Sequence, residues 1–115
     1  QMNNLQRLNN VEYPRYNIIE DGDKYTLEMA LPGWRKEDIH IDHSIQDKVL
    51  LIVGNQSKDE RKFVHRGISG KSFKRDFKVG EHIKVMSAKL EEGLLTVELE
   101  TQIPDELQPR VIEID

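Results

Sequence analysis

No cysteine occurs in the 115 residues, which excludes disulfide scaffolds, thiolate zinc sites and thiol catalysis. Long apolar runs are missing too. The longest, Val49 to Val53, holds five residues, whereas a membrane-spanning helix needs about 20. No positively charged start leads into an apolar stretch, so no signal peptide is visible and a cytoplasmic location is expected. The sequence begins at Gln1, which leaves open a natural beginning further upstream. A basic excess is also absent. Lys and Arg number 17 against 21 Asp and Glu, a net charge of −4, so no overall footprint for nucleic acid is present. Finally, no window longer than ten residues carries a helical apolar stripe. The length suits one domain with one core, and a hydrophobic content of 37% is low for a folded chain without reaching the disordered range.

What is there has the period of a strand. Tyr25, Leu27, Met29 and Leu31 alternate with Thr26, Glu28 and Ala30. Ile39 and Ile41 alternate with His40 and Asp42; Met86, Ala88 and Leu90 with Ser87 and Lys89; Leu95, Val97 and Leu99 with Thr96 and Glu98. Val49-Leu50-Leu51-Ile52-Val53 is apolar on both faces and predicts a central strand covered on both sides. Asp21-Gly22-Asp23 joins Tyr16–Glu20 to the Tyr25 run as a tight hairpin. Glu91-Glu92-Gly93 does the same between Leu90 and Leu94, with Gly93 free to take positive φ. Pro32-Gly33 ends its run, and Trp34 to Asp38 predicts a single helical turn before Ile39. Six or seven short strands at this spacing predict an all-β, immunoglobulin-like sandwich of two antiparallel sheets.

Three segments fall outside that plan. Residues 1–15 form a short arm whose first dozen residues, rich in Asn and Gln, read as disordered, with Met2, Leu5, Leu8 and Val11 its few apolar members. The domain proper is expected over 16–101. Within it, residues 57–71 make a long charged loop holding one strand-like piece, Lys62-Phe63-Val64-His65; loops of that length in small domains are uncommon and usually functional. Residues 102–115 form a C-terminal extension interrupted by Pro104 and Pro109, ending in the alternating patch Ile112-Glu113-Ile114.

The motifs that hint at catalysis fail on spacing. Gly70-Lys71-Ser72 matches the end of a phosphate-binding loop, but His65 stands where the first glycine belongs and a strand follows instead of a helix. Gly67-Ile68-Ser69-Gly70-Lys71 departs from a nucleophile elbow at Lys71. His40 and His43, three apart on a strand, project to opposite faces and cannot share an ion. His65 and His82 lack ligand spacing, and Asp21 and Asp23 read as turn residues, not calcium ligands. Asp59, Glu60 and Asp76 dilute the basic stretch of Arg61, Lys62, Arg66, Lys71, Lys74 and Arg75, which reads as a solvated or subunit-contacting face. No catalytic, metal or cofactor site is expected, and hence no enzyme.

The tail patch is different. Ile112 and Ile114 share one side of an extended segment. One reading folds them back as a further strand of their own domain. The other docks them in a groove on a neighbouring subunit, where burying two Ile side chains would yield roughly 3–6 kcal/mol before ordering costs. Such a contact is weak singly and strong in numbers.

Together these residues resemble the small heat-shock proteins, the α-crystallin family, from about Tyr16 to Ile114. Ala30-Leu31-Pro32-Gly33 followed by Asp38-Ile39 is similar to the family's first signature. Phe73, Arg75 and Phe77 match its aromatic-x-arginine-x-phenylalanine strand. Ala88 to Val97, with Ala88, Gly93 and Leu94 in place, resembles its alanine-x-x-x-x-glycine-leucine hairpin, and Ile112-Glu113-Ile114 its isoleucine-x-isoleucine anchor. Val79-Gly80 departs from the family's usual Leu-Pro, and the amino-terminal arm is shorter than is usual. The resemblance implies an ATP-independent holdase that binds partly unfolded proteins under heat or other stress and passes them to ATP-dependent chaperones. It implies dimers built by exchange of the loop Arg61, Lys62, Phe63, Val64, His65 and Arg66. Higher homo-oligomers would form as Ile112 and Ile114 enter a groove between Ile39 and Ile41 on one strand and Met86, Ala88 and Leu90 on another. A monomeric β-sandwich adaptor of the co-chaperone kind is the alternative, and it leaves tail and loop unemployed.

Overall fold

The computed structural model describes residues 13–115; the expectation of a disordered first dozen residues lies outside them. Seven strands form two antiparallel sheets. They are β1 (Tyr16–Asp21), β2 (Lys24–Ala30), β3 (Ile39–Ser44), β4 (Val49–Gly54), β5 (Phe73–Lys78), β6 (Ile83–Glu91) and β7 (Leu94–Thr101). One sheet has the order β1-β2-β7-β6, the other β3-β4-β5. The helical turn before Ile39 is a 3-10 turn, Lys36–Asp38.

The period-two pattern sets the faces. Leu27 and Met29 of β2 lie opposite Val97 and Leu95 of β7, and all four are buried. Leu50 and Ile52 of β4 oppose them from the second sheet, with Phe73, Leu31, Trp34 and Leu99 completing the core. Each such side chain contributes roughly 1.5–3 kcal/mol when fully buried. The β1–β2 and β6–β7 hairpins each close with two residues. In the β6–β7 turn Glu92 (φ 52°) and Gly93 (φ 74°) are both left-handed, as the turn that matches strand twist requires.

The orders of the two sheets also decide which edges meet. Tyr16 of β1 packs edge-on against Phe77 of β5, ring centroids 5.0 Å apart, so β1 and β5 share one flank. Laid over β5-β4-β3, the order β1-β2-β7-β6 then brings β6 and β3 together at the other.

One expectation needs correction. Val49–Val53 is central in its sheet, but Val49, Leu51 and Val53 stay half-exposed while Leu50 and Ile52 are buried. Among the described residues, no element of either sheet covers that outer face. Lys62–His65 is not a strand here, because a lone extended segment without a ladder partner leaves its backbone groups to water. Just before β1, Pro14 is buried and Tyr13 packs on the core cluster.

Candidate functional site

Two of the motifs meet. The Leu31 N–H donates to the Gly93 carbonyl at 2.7 Å, carrying the β2–β7 ladder one step past Ala30↔Leu94. A Cβ on Gly93 would stand 3.2 Å from the Pro32 Cα. Leu31-Pro32-Gly33 and the Gly93-Leu94 hairpin are therefore one structural unit at one end of the first sheet, with Leu31 fully buried beneath it.

The arginine strand has its three signature residues on one face. Phe73, Arg75 and Phe77 lie opposite Gly54, Ile52 and Leu50, so all three are directed between the sheets. Phe73 lies over Gly54 and meets the Trp34 ring edge-on at 5.2 Å. Arg75 stacks its guanidinium over Tyr16 at 4.8 Å and donates to the Pro14 carbonyl at 3.4 Å. Half-buried, it ties the start of β1 to β5. Sequence reasoning assigned it to the motif but missed its partners, and it missed Tyr13 entirely. The Tyr13 hydroxyl accepts from Trp34 Nε1 at 3.0 Å and donates to the Ser69 carbonyl at 3.0 Å. That couples the chain entering β1 to the long loop.

The groove residues divide. Ile39 and Ile41 of β3 and Leu90 of β6 pack against the core. Ala88 lies opposite buried Val97, on the core-facing register, and is nevertheless exposed. The β3–β6 flank is thus open above an apolar floor. Met86 does not join them. A bulge between Val85 and Ser87 shifts the phase of β6, and Met86 keeps company with outward groups, its sulfur taking a 3.8 Å contact from Gln102 Nε2. Strict alternation had placed Met86 with Ala88; one extra residue in the strand undoes that. The β1 flank is open as well. Ile18 lies opposite buried Leu27, yet is 58% exposed. An apolar cleft of about 280 Å³ runs beneath it, lined by Tyr25, Leu27, Phe77, Val79 and Ile83.

The two expected contact segments project from this body. Ile112 is 77% exposed and Ile114 96%, and no strand forms in the extension, so the fold-back reading finds no support among the described residues. The loop joining β4 to β5 spans residues 55–72. The guanidinium groups of Arg61 (5.2 Å) and Arg66 (4.6 Å) both lie over the Phe63 ring, while Lys62, Val64 and His65 are exposed. Asp59 accepts from the Arg61 backbone N–H at 3.1 Å and from its Nε at 2.9 Å, which holds the Asp59 carboxyl below the usual carboxylate range and raises Arg61. On the far hairpin, the Glu20 carboxylate opposite Tyr25 raises that phenol's pKa.

Of the decoys, His40 pairs with Asp42 at 3.0 Å on the exposed face of β3. Among the described residues no group of three acidic or imidazole side chains is placed to hold a metal. No helix there is long and apolar enough to cross a membrane.

Comparison with known proteins agrees with the motif reading. The chain is 38% identical over 112 residues to the small heat shock protein HspD of Bradyrhizobium diazoefficiens, covering 96% of this chain and 73% of that protein. It is 37% identical to the small heat shock protein IbpA of Serratia proteamaculans, covering 95% and 80%. The structure superposes with a TM-score of 0.72 on a C-terminally truncated form of the small heat shock protein AgsA of Salmonella typhimurium, at 33% identity over 90% of this chain and all of that one. The family model for the Hsp20/alpha crystallin family matches residues 17–115, and the chain belongs to that family, the small heat-shock proteins.

Proposed function

We propose that this protein is an ATP-independent holdase that captures partly unfolded proteins on apolar surface and works as a homo-oligomer built from dimers. The observation that carries the reading is a complementarity within one chain. An exposed isoleucine pair, Ile112 and Ile114, accompanies an open apolar flank at Ile39, Ile41, Ala88 and Leu90 that the described residues leave unfilled. Extended apolar segments suit such a flank by strand-like docking. The tail of a neighbouring subunit and the unfolded client would compete for related surface.

The dimer rests on a second complementarity. β1 is an edge strand with Ile18 and Ile19 exposed, and the segment Arg61 to Arg66 has a strand-like sequence and no partner strand among the described residues. Adding the partner's loop segment to this edge would pair both sets of backbone groups. The resulting assembly holds clients in the cytoplasm until ATP-dependent chaperones refold them. A monomeric adaptor gives neither the loop nor the tail a task.

The test is suppression of aggregation of a heated model protein by the purified chain, with and without ATP. Protection at near-stoichiometric ratios that is indifferent to ATP is the expected result. Protection that needs ATP hydrolysis by this chain, or none in any assembly state, would overturn the reading.

A further inference from the structure

The loop that the dimer reading employs is not idle in the single chain. In an extended strand, positions three apart project to opposite faces and lie roughly 10 Å apart along the chain. Phe63 and Arg66 are three apart, yet the Arg66 guanidinium sits 4.6 Å from the centre of the Phe63 ring. The same guanidinium donates through Nε to the Ile68 carbonyl at 3.3 Å. Its Nη2 lies against Gly70, where a Cβ would come within 2.9 Å of it, so the absence of a side chain there leaves it room. The Ser69 carbonyl, one residue on, is held to the body by the Tyr13 hydroxyl. Arg66 therefore folds 63–70 back on itself. Arg61, two residues from Phe63, is under no such constraint, since positions two apart share a face of a strand.

We propose that Arg66 is an autoinhibitory latch: its stacking on Phe63 and its bond to Ile68 hold the loop in a folded-back form that must open before Lys62 to His65 can pair with a second copy of this chain. This rests on the loop-exchange reading of the dimer and adds its regulation. Each subunit that joins gives up one latch, so latch and interface compete for the same residues and the dissociation constant carries the cost twice.

The experiment is sedimentation velocity of the full chain across a dilution series, comparing it with Arg66→Gln. An exposed cation–π contact is worth about two- to fivefold in an equilibrium constant. Two latches then predict a dimer roughly four- to twenty-fivefold tighter in Arg66→Gln. In a Phe63→Leu background, where the ring is already gone, Arg66→Gln should add little. An unchanged or weaker dimer in Arg66→Gln, or the same tightening in the Phe63→Leu background, overturns the latch. Deletion of Glu60 to Gly67 separates this from the underlying reading. A deletion that stays dimeric sinks loop exchange and the latch with it. A monomeric deletion beside an unresponsive Arg66→Gln sinks the latch alone.

Discussion

The 2.7 Å hydrogen bond from the Leu31 N–H to the Gly93 carbonyl joins two turns sixty-two residues apart in the chain. It explains why a proline-glycine turn and a glycine-leucine hairpin occur together. A Cβ on Gly93 would press against the Pro32 Cα at 3.2 Å, and Gly93 has a left-handed backbone (φ 74°).

Gly93→Ala should accordingly lose about 1–3 kcal/mol, combining left-handed strain with the clash against Pro32. Its neighbour gives the opposite sign. Glu92 is a non-glycine residue at φ 52°, and Glu92→Gly should be neutral or stabilising by about 0.5–1 kcal/mol, with Glu92→Asn close behind. Urea denaturation of the pair checks both. A Gly93→Ala as stable as the parent would mean that the turn is not held against Pro32.

Gly54 lies beneath the Phe73 ring, which occupies the place of any Cβ at that position. Gly54→Ala forces the ring off its edge contact with Trp34 and should cost about 1–3 kcal/mol. Phe73→Leu in the same chain should recover part of the loss, which a thermodynamic double-mutant cycle would read as a favourable coupling. Simple additivity would rule out the steric explanation.

Ile112→Ala/Ile114→Ala should convert larger assemblies into dimers while the thermal midpoint of the sandwich barely moves. Both side chains are exposed in the single chain, so nothing within it is lost. If each is fully buried in a neighbour, the double change removes roughly 4–10 kcal/mol per docked tail. Light scattering after size exclusion gives the answer. Unchanged oligomers with a destabilised domain would make the tail an intramolecular strand.

The Asp59–Arg61 pair predicts a pH response. Arg61 holds the Asp59 carboxyl below its unfolded value. A depressed pKa favours the folded loop at pH above the unfolded pKa of about 3.9, and that support fades as pH falls through the folded value. The pair is exposed, so the effect is local to the loop and not a term in global stability. The Arg61 amide resonance, which reports the bond to Asp59, should stay flat through about pH 4 and move only in stronger acid. A midpoint near the ordinary carboxylate value would show the pair open in solution.

Most of the fold was legible because its signals are local. Alternation in Tyr25 to Leu31 and Leu95 to Leu99 names a strand and its buried face at once, and a hairpin turn needs only its own residues. The faces of the flank residues were legible in part. Ile39 and Ile41 keep the alternation of β3, and Ala88 and Leu90 that of β6 beyond its bulge. Met86 escaped because a bulge is decided by what lies across the strand, at Glu98 and Leu99, and not by the strand itself.

The sequence by itself determined the strands, the turns, the absence of a recognisable catalytic motif and the four family motifs, since each depends on spacing along the chain. Tertiary structure decided which edges meet and which stay open. β1 lies over β5 through Tyr16 and Phe77, which leaves β6 beside β3 with Ala88 uncovered. It also decided the state of the loop. Whether Lys62 to His65 is a strand depends on a ladder partner that the described residues do not supply, and without one Phe63 stacks on Arg66 instead. Contacts between residues far apart in sequence must outweigh the ordering entropy of everything between them. No local pattern can report the result.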